Sequence, residues 1–349
     1  MIACRALLAV LVASLLAGCV ISILARKVVA PPNKSGVKAL FADTPLIENA
    51  PLAFADTWKV RVAQPRADIA VASVEPGDYS FQYDLQLEYG EDRPPGIQRL
   101  IAFWRSARER EPLPPKGTVV LLHGYLQDKR FVTPWAVRLA QEGFRCALVD
   151  LRGHGESTGK HISFGAFEAG DVSAVLDDLA TRGWDVSRVG ILGVSYGASV
   201  ALLAAGRDPR VSAVVAFEPF SSAERAVPEL MRAAFASQAH GISDQQFAAA
   251  HVKQARVAGF EWKDADIPAA LAKSRAPVMF LHGEADTCLS PDHSRVLMVH
   301  EPARSRVVLV AWGAEDPRAA TDADHHYGSR AYVASLRPAE RRAVRGMLS

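Results

Sequence analysis

From about residue 113 onward the chain alternates short apolar runs with amphipathic stretches. Residues 118–122, 145–149, 189–192, 211–217, 278–281 and 307–310 are nearly unbroken apolar runs of strand length. A strand apolar at successive positions is buried on both faces. Between these runs, residues 134–142, 166–181 and 198–206 carry a helical period, with Gly143 and Gly183 closing the first two. This alternation predicts an α/β chain with a mostly parallel sheet covered by helices on both faces. Upstream, residues 58–62, 69–74, 81–89 and 100–104 read as β-like runs. They are punctuated by Glu75-Pro76-Gly77-Asp78 and Arg93-Pro94-Pro95-Gly96, and they predict an antiparallel start to the sheet with a small N-terminal addition. Between Glu218 and about Arg275 the rhythm breaks into helical pieces carrying Phe235, Phe247, Phe260 and Trp262.

Composition narrows the picture by exclusion. The 349 residues are 49% hydrophobic and 22% charged, which is globular composition with enough length for a large core. A net charge of +2 gives no hint of nucleic-acid binding, which usually needs a basic face. Cys4 and Cys19 fall in the leader, leaving Cys146 and Cys288, too few for a disulfide framework. Cys146 sits in an apolar run and reads as a buried small hydrophobe, while Cys288 is expected to be partly exposed. No metal-ligand spacing occurs, and the reading calls for no cofactor.

The first 25 residues carry Arg5, then an apolar run, then Leu16-Ala17-Gly18-Cys19. The last four resemble the lipobox of bacterial lipoproteins. That resemblance implies a signal peptide over residues 1–18, lipidation of Cys19 and an envelope protein anchored to the membrane. The alternative is an uncleaved membrane helix, because the apolar run continues through Ala25 before Arg26 and Lys27. It would place the chain in the inner membrane with its C-terminal side in the cytoplasm. Residues 27 to about 57 read as a tether leading into irregular structure, and residues 19–99 as tether plus β-rich extension.

The chemistry centres on Val189-Gly190-Ile191-Leu192-Gly193-Val194-Ser195-Tyr196-Gly197-Ala198. An apolar strand, Gly-x-Ser-x-Gly and a small-residue helix follow one another. This puts Ser195 on a strained corner with its hydroxyl clear of the sheet and a helix N-terminus beneath it. The stretch resembles the nucleophile elbow of the α/β-hydrolases, and the resemblance covers about residues 100–349. It implies the α/β-hydrolase fold, with a helical lid inserted at about residues 218–275. The alternative for that insertion is an ordinary pair of sheet-covering helices.

Three further motifs at strand ends extend the resemblance. Leu122-His123-Gly124-Tyr125 resembles the turn that supplies one backbone oxyanion donor, here Tyr125; the other is Tyr196, the residue after the nucleophile. Leu281-His282-Gly283-Glu284-Ala285-Asp286 places Asp286 as the triad acid, with Glu284 as alternative. Ala323-Asp324-His325-His326 supplies the base, matched best by His325, with His326 as alternative. The order Ser195, Asp286, His325 is that of the superfamily. His123 and His282 read as structural, and Asp150 and His154 of Asp150-Leu151-Arg152-Gly153-His154-Gly155 as scaffold. The resemblance implies acyl transfer to water, on carboxylic esters or lipids. A peptidase, amidase or thioesterase would share the triad, and a non-catalytic membrane-tethered binding protein is the reading from another class. The expected partners are an acyl substrate and the membrane.

Overall fold

The computed structural model describes residues 18–34, 53–77, 79–87, 98–106, 114–234, 236–284, 286–300 and 306–310. Chain order runs α1 (residues 18–28), β1 (Asp56–Val62), β2 (Ala67–Val74), β3 (Tyr79–Leu87), β4 (Gln98–Ser106), β5 (Thr118–Leu122), α2 (Thr133–Gln141), β6 (Arg145–Val149) and α3 (Glu168–Thr181). It continues through β7 (Val189–Val194), α4 (Tyr196–Arg207), β8 (Val211–Phe217), α5 (Ala223–Ala234), α6 (Ala236–Ala239), α7 (Asp244–Ala258), α8 (Ile267–Lys273), β9 (Val278–Gly283), α9 (Asp292–Met298) and β10 (Arg306–Val310).

An eight-stranded sheet has the order β1-β2-β6-β5-β7-β8-β9-β10. From β6 to β10 every neighbouring pair is parallel, whereas β1–β2 and β2–β6 are antiparallel. Alternation along each central strand sends side chains to opposite faces. Val120, Leu122, Ala147, Val149 and Ile191 join one core, together with α3 and α4. Val119, Leu121, Cys146, Leu148 and Leu192 join the other, with Trp135 and Val137 of α2. The continuous apolar runs are thus strands buried on both sides. α4 is buried around most of its circumference, and its small residues let it lie close to α8: a Cβ at Gly206 would come within 2.5 Å of Ala270 O. The region between β8 and β9 is helical, as expected. α7 begins with a reciprocal Ser243–Gln246 capping box and ends at Gly259 in the left-handed conformation.

Two features differ from the sequence expectation. β3 and β4 do not join the main sheet but pair with each other as a two-stranded ribbon, Tyr79 opposite Ser106. The reason is the position of β2, which pairs directly with β6 (Val71 with Val149) and leaves no slot between them. The second difference is α1 and the residues after it. Leu24, Ala25, Val28 and Val29 are buried in the same core as α3 and α4. Burying side chains such as Leu24 and Val28 is worth about 1.5–3 kcal/mol each when complete. Ile162 N–H donates to Val29 O, and Asn33 Nδ2 donates to the carbonyls of Gly155 and Ser157 at 3.0 and 2.8 Å. Residues 27–34, read in sequence as tether, therefore run along the sheet domain. Among the described residues no helix is long and apolar enough to cross a membrane.

Candidate active site

β7 ends at Val194, α4 begins at Tyr196, and Ser195 between them has φ 49° and ψ −111°. That is a strained conformation for a residue with a Cβ, costing on the order of 1–3 kcal/mol. The turn is enforced from both sides. A Cβ at Gly193 would lie 2.4 Å from Gly197 O, and one at Gly197 would lie 2.5 Å from the carbonyl oxygens of both Leu122 and His123. Only glycine lets the elbow helix come down against the end of β5. The Ser195 N–H donates to Phe217 O at 2.7 Å, tying the corner to β8.

The β5 turn beside it is fully bonded except where a ligand would use it. Gly124 N–H donates to Gln127 Oε1 at 2.9 Å, and Gly124 O accepts from Gln127 N–H. His123 is buried; its Nε2 accepts from Leu151 N–H at 2.9 Å, so its Nδ1 carries the proton and donates to Gly124 O at 2.8 Å. Burial lowers its pKa to about 4. It is a neutral strut between two loops, as its place in the turn implied. Among the described residues the Tyr125 N–H makes no hydrogen bond, and the Tyr196 N–H opens a helix and has no carbonyl one turn back. Ser195, Tyr125 and Tyr196 line one cavity of ≈ 550 Å³. The Tyr196 ring lies beneath it, its hydroxyl accepting from Phe164 N–H at 3.1 Å and bonding Glu168, and burial holds its pKa well above the usual phenol value.

The loop from Asp150 to Ser157 is scaffold. Asp150 accepts from Lys129 N–H at 2.6 Å, Lys129 Nζ at 2.8 Å and Glu156 N–H at 2.8 Å. Arg152 grips Asp171 with two donors, and the Ser157 hydroxyl donates to Asp150 O. The buried His154 ring packs near those of His123, Tyr125 and Tyr196, and burial lowers its pKa to about 3.

Asp286 follows β9. Its side chain is only 4% exposed, its Oδ1 accepts from Cys288 and Leu289 N–H at 2.8 and 3.0 Å, and its Oδ2 lies 3.5 Å from His282 Nε2. Glu284, the alternative acid, is exposed. His282 is held by Ser294 Oγ at 2.8 Å and Leu289 O at 3.0 Å, a structural position. Cys288, expected partly exposed, is buried, because the turn that binds Asp286 folds it inward. His325 and His326 lie outside the described residues, as does Cys4; Cys19 is exposed on α1.

Glu218 escaped the sequence reading. It follows β8, has φ 49°, donates its N–H to Leu281 O at 2.7 Å, and places Oε1 4.0 Å from where a Gly283 Cβ would stand. The available signal was a carboxylate directly ending an apolar strand and followed by Pro219. Beyond the elbow, the cavity is lined by Phe220, Val227, Leu230 and Met231 and by residues of α1.

Residues 113–259 match the model of a family described as serine aminopeptidase, S33. A Bacillus subtilis protein, the uncharacterized protein YqkD, is 24% identical over 213 residues, 60% of this chain and 68% of its own. The Pyrococcus furiosus esterase Pf2001 superposes with a TM-score of 0.50 at 16% identity, covering 74% of this chain and 82% of that one. A 2,6-dihydroxy-pseudo-oxynicotine hydrolase gives 0.51 at 18% identity, covering 81% and 70%.

Proposed function

We propose that this chain, whose fold is that of the α/β-hydrolases, belongs to that superfamily and is a serine hydrolase that cleaves carboxylic esters, lipids among them. Ser195 Oγ attacks the ester carbonyl while His325 takes its proton. The Tyr125 and Tyr196 N–H groups receive the oxyanion, an interaction worth about 3–4 kcal/mol per donor. Collapse expels the alcohol, protonated by His325, and leaves an acyl-Ser195 ester. Water, deprotonated by His325, then releases the acid and restores the serine. Asp286 orients the imidazole and stabilises its charged form.

The observation that carries this reading is a serine held at a strained corner on the floor of an apolar cavity. A cavity of this size accommodates a small organic ligand. The S33 match favours an aminopeptidase as second reading. The aliphatic lining, with Val20, Leu24, Val227, Leu230 and Met231 in it, supports the ester. Exposed Cys19 at the start of α1 is the proposed lipid attachment site, in a membrane-anchored envelope protein.

The test is hydrolysis of p-nitrophenyl esters and aminoacyl p-nitroanilides by the full chain, with fluorophosphonate labelling alongside. Ester turnover and labelling, both lost in Ser195→Ala, are expected. Anilide turnover without ester turnover replaces the esterase by the peptidase. A folded chain that reacts with no fluorophosphonate removes the enzyme altogether.

A further inference from the structure

The described residues of α1 place Val20, Ile23, Leu24, Lys27 and Val28 in the cavity lining, to which α5 also contributes. Their spacing is one stripe of a helix, at i, i+3, i+4, i+7 and i+8. Leu24 and Val28 sit inward and buried, whereas Val20 and Ile23 are 37% and 55% exposed at the outer part of the stripe. Val20 and Ile23 thus give the cavity lining exposed aliphatic surface that a bound acyl chain would cover. α5 answers with Ala226, Val227, Leu230 and Met231, also one helical stripe. Two helical stripes thus line the cavity that Ser195 also lines.

α1 is held in this position. Lys253 Nζ on α7 donates to Ser22 Oγ at 2.6 Å, Ile162 N–H bonds Val29 O, and Asn33 N–H donates to Gly153 O at 3.0 Å. Pro31 lies so close to Gly153 that a Cβ there would meet Pro31 Cβ at 2.9 Å. The end of α1 and the strap after it are therefore locked to the scaffold loop, and the helix is a fixed wall.

We infer that α1 is part of the substrate site: the acyl chain of an extended aliphatic ester lies between α1 and α5, and Ile23 sets which chain lengths are accepted. This rests on the ester-hydrolase reading and adds the substrate class, a linear aliphatic acyl ester, with an N-terminal helix as its specificity wall. Apart from Lys27 at its exposed side the wall is aliphatic, so it favours methylene groups over a short polar acyl group. Lys27 sits at the exposed side of the same stripe, its charge in water.

The test measures kcat/KM for p-nitrophenyl esters from acetate to palmitate with the full chain, Ile23→Trp, Ile23→Asp and Val252→Asp. Val252 is 63% exposed on α7 and outside the cavity lining, so it controls for surface change. The expected result is a fall of about tenfold or more in the dodecanoate-to-butyrate ratio for both Ile23 variants, since one methylene misfit in an apolar pocket is worth roughly tenfold or more. The Val252→Asp ratio should stay at that of the full chain. A ratio within twofold of the full chain in both Ile23 variants overturns the inference while leaving the esterase standing. Labelling rates with dodecyl and ethyl fluorophosphonates read the same preference without turnover, and Ile23→Trp should lower their ratio too. Absence of ester turnover and labelling in the full chain overturns both readings together.

Discussion

Ser195 and Ile23 face the same cavity, yet their surroundings impose very different constraints. Around Ser195 the backbone itself is the constraint: two glycines in contact with main-chain oxygens, a positive φ, and a hydrogen bond to β8. Around Ile23 the constraint is a stripe of aliphatic side chains on a helix docked by its inner edge. Main-chain contacts tolerate no added atom, whereas an aliphatic wall accepts any side chain of suitable size and polarity. In the proposed reaction the corner at Ser195 therefore governs whether chemistry occurs, and the α1 wall governs on what.

The sharpest break of this contrast is at the proposed nucleophile. Ser195→Ala should lower ester kcat by on the order of 10^4-fold or more while far-UV circular dichroism stays unchanged. A residual rate near the full chain's would place the chemistry elsewhere. Asp286→Asn follows, with an expected fall in kcat of about 10^3–10^4-fold at similar KM, by analogy with loss of the orienting acid in other triads. Equal activity in that variant would turn attention to Glu218, which occupies the end of the neighbouring strand. Gly197→Ala tests the floor's sterics. With a Cβ 2.5 Å from two carbonyl oxygens, it should cost about 3 kcal/mol or more in urea denaturation, or prevent soluble expression. A variant of unchanged midpoint would mean that the elbow backbone can yield.

The smallest effect concerns pH. His123 and His154 have pKa values lowered by burial to about 4 and about 3, against 6.5 in an unfolded chain. Below pH 6.5 the unfolded chain binds protons that the folded one refuses, so stability falls as pH falls. Each histidine contributes a slope approaching about 1.4 kcal/mol per pH unit well below 6.5. Denaturation midpoints between pH 7.5 and 4.5 should show the decline, and His154→Gln should make it shallower. An identical slope in the variant would mean that the ring is protonated in the folded state. In the α1 wall no such pH signature is expected from the aliphatic stripe, which carries no charge that burial must neutralise.

Much of the floor was legible because its signals are local. The strand, Gly-x-Ser-x-Gly and helix lie within a few consecutive residues, and the structure turns at Ser195. The apolar runs became strands with bounds close to those read from hydrophobicity, since burial on both faces is written in every residue of the run. The His-Gly turns were read as struts, and the bonds of His123 and His282 agree with that.

By itself, the sequence determined the buried strands of the sheet, the strand-to-helix corner at Ser195, and the glycines two residues to either side of it. Tertiary structure alone decided the strand order β1-β2-β6-β5-β7-β8-β9-β10, the exclusion of β3 and β4 from the sheet, the burial of Cys288, and the docking of α1 at the cavity that Ser195 lines. The physical reason is that hydrophobic pattern specifies how much apolar surface a segment must bury, but not against what. An apolar stripe at residues 20–28 is satisfied equally by a bilayer or by a cavity, and only the packed fold shows that here it lines the cavity that α5 and Ser195 also line.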